Sequence, residues 1–436
     1  MTTDVKKTNT STTSEKHIEP VVLTVIPNVL CQHADAAASL ALDRFYALQS
    51  SDYNITDLKK IESRLEGNID GLFISADEGW PHYKKHLSTD DYGEVFTTAV
   101  LAIKLHNNER FQLAFETAVD NVELLNAIAD AFIWLPFQEV APYLDMLYQT
   151  KKPEKQYVAI TAYAGHRLIV DEHLMDALNS NNPLLLRRAI YTVAELGKKN
   201  LLSSIKPHVQ NEDKGIQFAV CWALTRFGDA NAKQALKKFL THPQYGEQAL
   251  QFIVMQKDVN DTVQLLRQLY SIEKTKRLSI LGMGLLRNPS SINALIQVMA
   301  DEELARAAGE AFSFITGVDL AYEDLDQDAP EDFQGGPTDD PKDENVDMDP
   351  DEDLPWPNPV LIAQWWQQNQ ARFQNGKKYI LGKDVSHSQY KNVLIHGTQK
   401  QRAFAALAIA VQQKDEPIFN VKAPALRQMY WLGLRK

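Results

Sequence analysis

The sequence predicts an all-α superhelix of stacked helical hairpins, interrupted by one disordered acidic insertion. Three observations carry that reading. Alanine-centred apolar helices recur every thirty residues, proline falls between apolar runs, and one acidic segment holds more than the whole net charge of -12.

The repeat is read first. Ala99, Ala129, Ala159, Ala189, Ala219 and Ala249 stand thirty residues apart, inside EVFTTAVLAIKL, LLNAIADAFIWL, QYVAITAYAGHR, LLRRAIYTVAEL, IQFAVCWALTRF and GEQALQFIVMQK. Around each, large apolar residues recur at i, i+3, i+4 and i+7, the stripe of a packed helix. A small residue at the centre lets neighbouring helix backbones approach. Gly197 and Gly228 follow two of these helices, where a left-handed residue ends a helix, and second helices such as LLSSIKPHV and NAKQALKKFL come next. One hairpin cannot bury both of its apolar faces, whereas a stack can, which is the logic of a HEAT/armadillo-like solenoid. KRLSILGMGLLRNPSSINALIQVM, turning at Asn288–Pro289, and ELARAAGEAFSFITG, ending at Gly317, extend the array. Before it, helices around Ala34–Ser50 and Ile55–Leu72 form an atypical cap.

The chain therefore divides into a polar, Thr/Ser-rich tail (1–17), N-terminal capping helices (18–92), repeats of about 30 residues (93–320), an acidic insertion (321–357) and C-terminal helices that resume the repeats and cap them (358–436). From Glu323 to Asp353 there are fifteen Asp or Glu and one Lys342, leaving 44 basic and 42 acidic residues elsewhere. That near balance lacks the basic surplus of a nucleic-acid binder. The composition of the acidic segment predicts a solvated linker. Its tether gives a second reading, a loose, salt-sensitive cover over basic second helices. On either reading a neutral linker is expected to replace it without changing the melting temperature. Asp347, Asp349, Asp351 and Asp353 alternate as in a calcium loop, but Glu352 and Asn358 stand where such a loop needs glycine and glutamate.

Signals for chemistry are weak. His82 and His86 have a zinc-compatible i, i+4 spacing but no third ligand, and His166 and His173 read as structural. No phosphate-cradling glycine loop or nucleophile elbow is present, and Cys221 lies inside an apolar helix. Hence no catalytic residue, metal or other cofactor is expected. Cys31 and Cys221 read as buried thiols of a reducing compartment. No apolar run is long enough to span a membrane, and the N-terminus carries no secretory signal, so the expected location is cytoplasmic. The expected partner is a protein, met on a concave face lined by the second helices. Candidate contacts are Lys206, Lys233, Lys237, Lys238 and Arg267 on successive second helices, and an aromatic patch of Trp356, Trp365 and Trp366. Those tryptophans read equally as core. Gln401 and Arg402 either brace the loop above their helix or are solvated.

Seven segments carry a resemblance: DLKKIESRLEGNIDGLFISADEGW (Asp57–Trp80) with GEVFTTAVLAI after it, FSFITGVDL (Phe312–Leu320), LPWPNPVLIAQWW (Leu354–Trp366), RFQNGKKYILG (Arg372–Gly382), VLIHGTQKQRAFAALAIA (Val393–Ala410) and FNVKAPALRQ (Phe419–Gln428). Together they resemble a bacterial family of HEAT-like repeat proteins encoded beside type VI secretion components. Asn68 departs from that family's histidine in an AHLDGL-like stretch. The resemblance implies an accessory protein of a contractile secretion apparatus, an adaptor or chaperone for spike or effector proteins. Two rival classes stay open: a helical-repeat enzyme, lyase-like or base-excision-like, and a purely structural spacer.

Overall fold

A computed structural model describes residues 25–87, 91–256, 259–331, 333–337, 349–374 and 376–435. Twenty-one α-helices and four two-residue strands are present among them. The cap is a long antiparallel pair, α1 (Pro27–Ala47) and α2 (Ile55–Tyr83). Asn54 starts α2 with a capping box, its side chain accepting from Thr56 and Asp57. The helix runs past the expected end at Leu72 and kinks at Ala76, whose φ is 45°.

The hairpins follow in order. They are α3 (Tyr92–Lys104) with α4 (Asn108–Ala118), α5 (Val122–Trp134) with α6 (Phe137–Gln149), and α7 (Pro153–Gly165) with α8 (Asp171–Leu178). Next are α9 (Pro183–Glu195) with the single turn α10 (Leu202–Ile205), α11 (Lys214–Arg226) with α12 (Ala230–Leu236), and α13 (Gly246–Gln256) with α14 (Val259–Tyr270). The array ends with α15 (Lys276–Leu286), α16 (Ile292–Val298) and α17 (Ala305–Thr316). All six repeat alanines are fully buried. Ser279 and Gly309 continue the thirty-residue series as buried small residues. A Cβ on Gly309 would already touch Leu320 and Pro357, so the close approach persists where the alanine does not. Gly197, Gly228 and Gly317 take left-handed φ values of 70°, 93° and 75° and end their helices as expected.

The layering differs from expectation. The first helices of the hairpins pack on one another along the array, and each second helix sits outside, against the first helices that flank it. The helices after the acidic segment pack on both layers. Helix α18 (Pro359–Asn369), started by Asn358, packs on α16. After the hairpin of β3 (Tyr379–Ile380) and β4 (Lys383–Asp384), the chain turns back through α19 (His387–His396) and α20 (Gln399–Gln412). It then crosses the inner layer in an irregular strap, residues 413–424, and finishes in α21 (Ala425–Trp431) on α2. Residues 358–436 are thus not simply further repeats. Helix α18 extends the outer layer on α16, and residues 413–431 cover the C-terminal ends of first helices.

This happens for an electrostatic reason. The last carbonyls of a helix have no partner within it, and the thirty-residue period sets eight such ends in a row. The C-terminal block donates to four of them: Arg427 to Ile133 and Leu135 (2.8 and 3.0 Å), Asn420 to Gly165 (2.8 Å), the Ile418 amide to Glu195 (2.8 Å), and the Leu381 and Gly382 amides to Phe314 and Ile315 (both 3.0 Å). The Gln399 amide bonds the Tyr53 carbonyl at 2.7 Å, and Ser51 bonds Glu310, so the α1–α2 turn meets both α20 and α17. The array closes on itself.

Candidate functional site

Three places gather side chains that could serve a partner: the outer layer, the cleft beside Trp356, and the strap on the inner layer. The expected basic residues lie on the outer layer, not around a concave groove. Lys206, Lys238 and Arg267 are exposed, while Lys233 and Lys237 are half-buried. They belong to neighbouring outer elements, a 3₁₀ turn at Lys206–Gln210, α12 with the turn Lys237–Phe239 after it, and α14. The correction concerns direction only: second helices face outward because alanine-bearing first helices pack closest to one another.

The aromatic patch does not form. Trp366 is buried, its ring 5.3 Å from that of Phe373, and half-buried Trp365 packs against the same core, meeting Phe312 edge-on at 5.7 Å. Trp356 stands apart. With Pro357 it forms β2 (Trp356–Pro357), which pairs antiparallel with β1 (Asp326–Gln327), and it lines a cleft of about 440 Å³ together with Met299, Ala300, Val360 and Leu361.

The described parts of the acidic segment are docked, which corrects the expectation of a solvated linker for those parts. Asp351 is 3% exposed and accepts Arg277 Nη2 and Nε at 2.6 and 3.0 Å, while Arg277 Nη1 reaches Glu247 at 3.1 Å. Burial works against the Arg277 charge, but Asp351 and Glu247 hold its guanidinium above its ordinary range. Arg306 donates to Asp349 at 2.6 Å and to the Asp351 carbonyl at 2.9 Å, with its guanidinium carbon 4.9 and 4.6 Å from the Phe333 and Trp356 rings. Two aspartates of the apparent calcium loop are therefore ligands of arginines. Asp347 lies outside the described residues. A charge count sees only repulsion within such a segment, whereas two fixed guanidiniums turn it into an anchor. Neutral replacement of the whole segment would strand both.

Buried arginines are the residues the sequence reading missed most. Arg44 pairs with Glu62 at 2.8 Å and donates to the Lys422 carbonyl at 2.8 Å, and Glu62 also accepts the Ala425 amide at 2.6 Å. Arg226, fully buried, donates to the carbonyls of Lys414 and Glu416, and Arg167 to that of Ile418 at 2.7 Å. Burial pulls Arg167 and Arg226 down to about 10. Arg402 is fully buried and braces Leu394, Gln399 and Gln428, while Gln401 completes the capping box of α20. The available signal was a lone arginine at the apolar end of a repeat helix, as in LTRFG.

Two of the histidines bridge separate elements. His86 pairs with Asp35, and His166 bonds the Phe132 carbonyl at 2.9 Å with Arg427 3.3 Å from its other nitrogen. Cys221 is buried, its thiol pushed up to about 11 by that burial, whereas Cys31 is only half-buried and donates to the His82 carbonyl. Among the described residues, no three His, Cys, Asp or Glu side chains gather closely enough to hold a metal ion, and no helix is long and apolar enough to cross a membrane.

No curated protein and no solved structure matches the chain. One family does, over α8 to α13. Residues 172–253 match HEAT repeats, in agreement with the stacked helical hairpins of the array around them.

Proposed function

We propose that the chain is a non-catalytic protein-binding scaffold, an adaptor or chaperone acting in the cytoplasm for a type VI secretion apparatus. The observation that carries the binding role is the outer layer. Lys206, Lys238 and Arg267 stand exposed on adjacent outer elements, while the C-terminal ends of several first helices are covered by the chain's own C-terminal block. HEAT repeats commonly serve as surfaces for other proteins, and an exposed row of cations suits an acidic protein partner such as a spike or effector component. The secretion context comes from the resemblance alone. Its two most distinctive blocks, Leu354–Trp366 and Val393–Ala410, fall where the chain anchors its acidic segment and closes its ring.

The test is a cross-linked pull-down with the full chain from cells that carry the native secretion machinery. It is run beside the triple variant Lys206→Glu, Lys238→Glu and Arg267→Glu. An apparatus component recovered with the native chain and lost with the variant supports the reading. Equal recovery with both, or none with either, overturns it.

A further inference from the structure

We propose that the cleft beside Trp356 docks a basic, amphipathic segment of a protein partner, which buries apolar side chains in the cleft and sets lysines or arginines on its rim. The cleft, about 440 Å³, is of the size that buries a ligand group. Its walls are largely apolar: Met299 at the end of α16, Ala305 at the start of α17, Trp356 on β2, and Val360 and Leu361 in the first turn of α18. Val360 and Leu361 are 65% and 37% exposed, so both still have apolar surface to bury. Trp356 is half-buried and held in place, with the Arg306 guanidinium carbon 4.6 Å from its ring centre and Phe333 edge-on at 4.7 Å. Tryptophan is among the residues that most often anchor an interface, and a fixed ring loses little freedom on binding.

The rim says what kind of segment fits. Glu302 is part of the lining, and Asp301, Glu303, Asp326, Asp328 and Glu331 lie within one or two residues of lining positions. Among the described residues, none of these carboxylates has a cation as ion-pair partner. Cations of the neighbouring helices are already engaged, Lys276 with Glu273, Arg277 with Asp351 and Arg306 with Asp349. The cleft also adjoins the stretch from Glu323 to Asp353, whose fifteen acidic residues and one lysine outweigh a near balance elsewhere.

An acidic segment would meet repulsion at this rim, and a neutral apolar one would leave its carboxylates unmatched. Lysine and arginine suit both parts of the site, since their methylene stems lie along apolar surface while the charged heads stay in water. Complementary charge of this kind speeds encounter and selects the partner, and the apolar wall supplies the affinity.

Fluorescence anisotropy with the full chain tests this. The probe is a labelled synthetic peptide of Leu and Lys in an amphipathic helical pattern. Two controls replace every Leu by Ser or every Lys by Glu. The Leu/Lys peptide should bind at least roughly tenfold more tightly than either control at low salt, because one control loses apolar burial and the other reverses the charge. Glu302→Lys combined with Asp328→Lys should weaken binding roughly tenfold at low salt and less as salt rises. Leu361→Ser should weaken it roughly tenfold at every salt concentration. Glu212→Lys, an exposed reversal before α11, should leave it unchanged, with the same helical signal in all variants. A Leu/Lys peptide that does not bind, a Ser/Lys peptide that binds as well, or a loss with Glu212→Lys equal to that of the cleft variants overturns the proposal. The pull-down reads the outer row of cations and anisotropy reads the cleft, so each reading can fail without the other.

Discussion

Arg306→Ala separates a docked acidic segment from a solvated one. Arg306 is 6% exposed, holds Asp349 and the Asp351 carbonyl, and lies between two aromatic rings. Breaking a buried ion pair costs about 3–5 kcal/mol, mostly from the charge left behind. Asp351 keeps its second arginine, Arg277, which puts the expected loss near the lower end, about 3 kcal/mol for the docked state. The loss cannot exceed the free energy of undocking, because the segment can release and rehydrate Asp349 while the repeats stay folded. The variant should therefore be cut within residues 321–357 by a protease at a dilution that spares the native chain, with most of the helical signal retained. A double-mutant cycle with Asp349→Ala should give a coupling on the order of 1–3 kcal/mol, as contacting residues do. If Arg306→Ala resists protease as well as Arg267→Ala, an exposed control, the anchor has no energetic weight and the reasoning fails.

Two further outcomes follow from the packing. Ala219→Leu, at a fully buried helix crossing, should cost about 1–3 kcal/mol, whereas Ala230→Leu on the exposed start of α12 should be nearly neutral, and equal shifts in thermal melts would refute the repeat alignment. Gly197→Ala should destabilise more than Gly433→Ala although their φ values are 70° and 71°, because only at Gly197 would the new methyl meet the strap, 2.8 Å from the Asp415 carbonyl; matched denaturant midpoints would contradict that contact.

The repeats were legible in the sequence because their cause is local. A small residue must recur wherever backbones cross, and six alanines record it; Ser279 and Gly309 record it in different letters, in two copies that were legible from their apolar pattern and turns. Helix ends at Gly197, Gly228 and Gly317 were legible for the same reason, since a left-handed residue favours glycine. The closure was not legible. Arg44 meets Lys422, Arg427 meets Ile133 and Glu62 meets Ala425, contacts between residues hundreds of positions apart that leave no periodic trace. The same limit misplaced the candidate site. Reading second helices as the concave lining required knowing which layer packs inward, and the irregular strap, residues 413–424, carries no repeat signal. Trp365 and Trp366 show the converse: exposed or core, their spacing in the sequence is identical, and only Phe312 and Phe373 settle it.

His166 makes the closure sensitive to acid. Its ring bonds the Phe132 carbonyl, lies 5.2 Å from the Phe137 ring and faces Arg427, which reaches across from α21. Burial is the main cause of its lowered pKa, about 4 against an ordinary 6.5; the Phe132 carbonyl opposes that shift and Arg427 adds to it. The folded state therefore binds this proton less readily than the unfolded state. The associated stability is complete above pH 6.5 and is lost as pH falls from there toward 4. Over that window the loss is about 3 kcal/mol, at about 1.4 kcal/mol for each unit of difference. Protonation would also turn the nitrogen that faces Arg427 from an acceptor into a donor beside a second cation, so release should begin at the strap and α21. Exchange of the Ala425 and Gln428 amides should accelerate between pH 6.5 and 5 beyond its intrinsic pH dependence, with α3 and α5 unaffected. His166→Gln, an uncharged hydrogen-bonding side chain, should flatten both that acceleration and the pH dependence of the melting temperature. If the variant keeps the native chain's acid sensitivity over this range, the coupling between His166 and the closure is wrong.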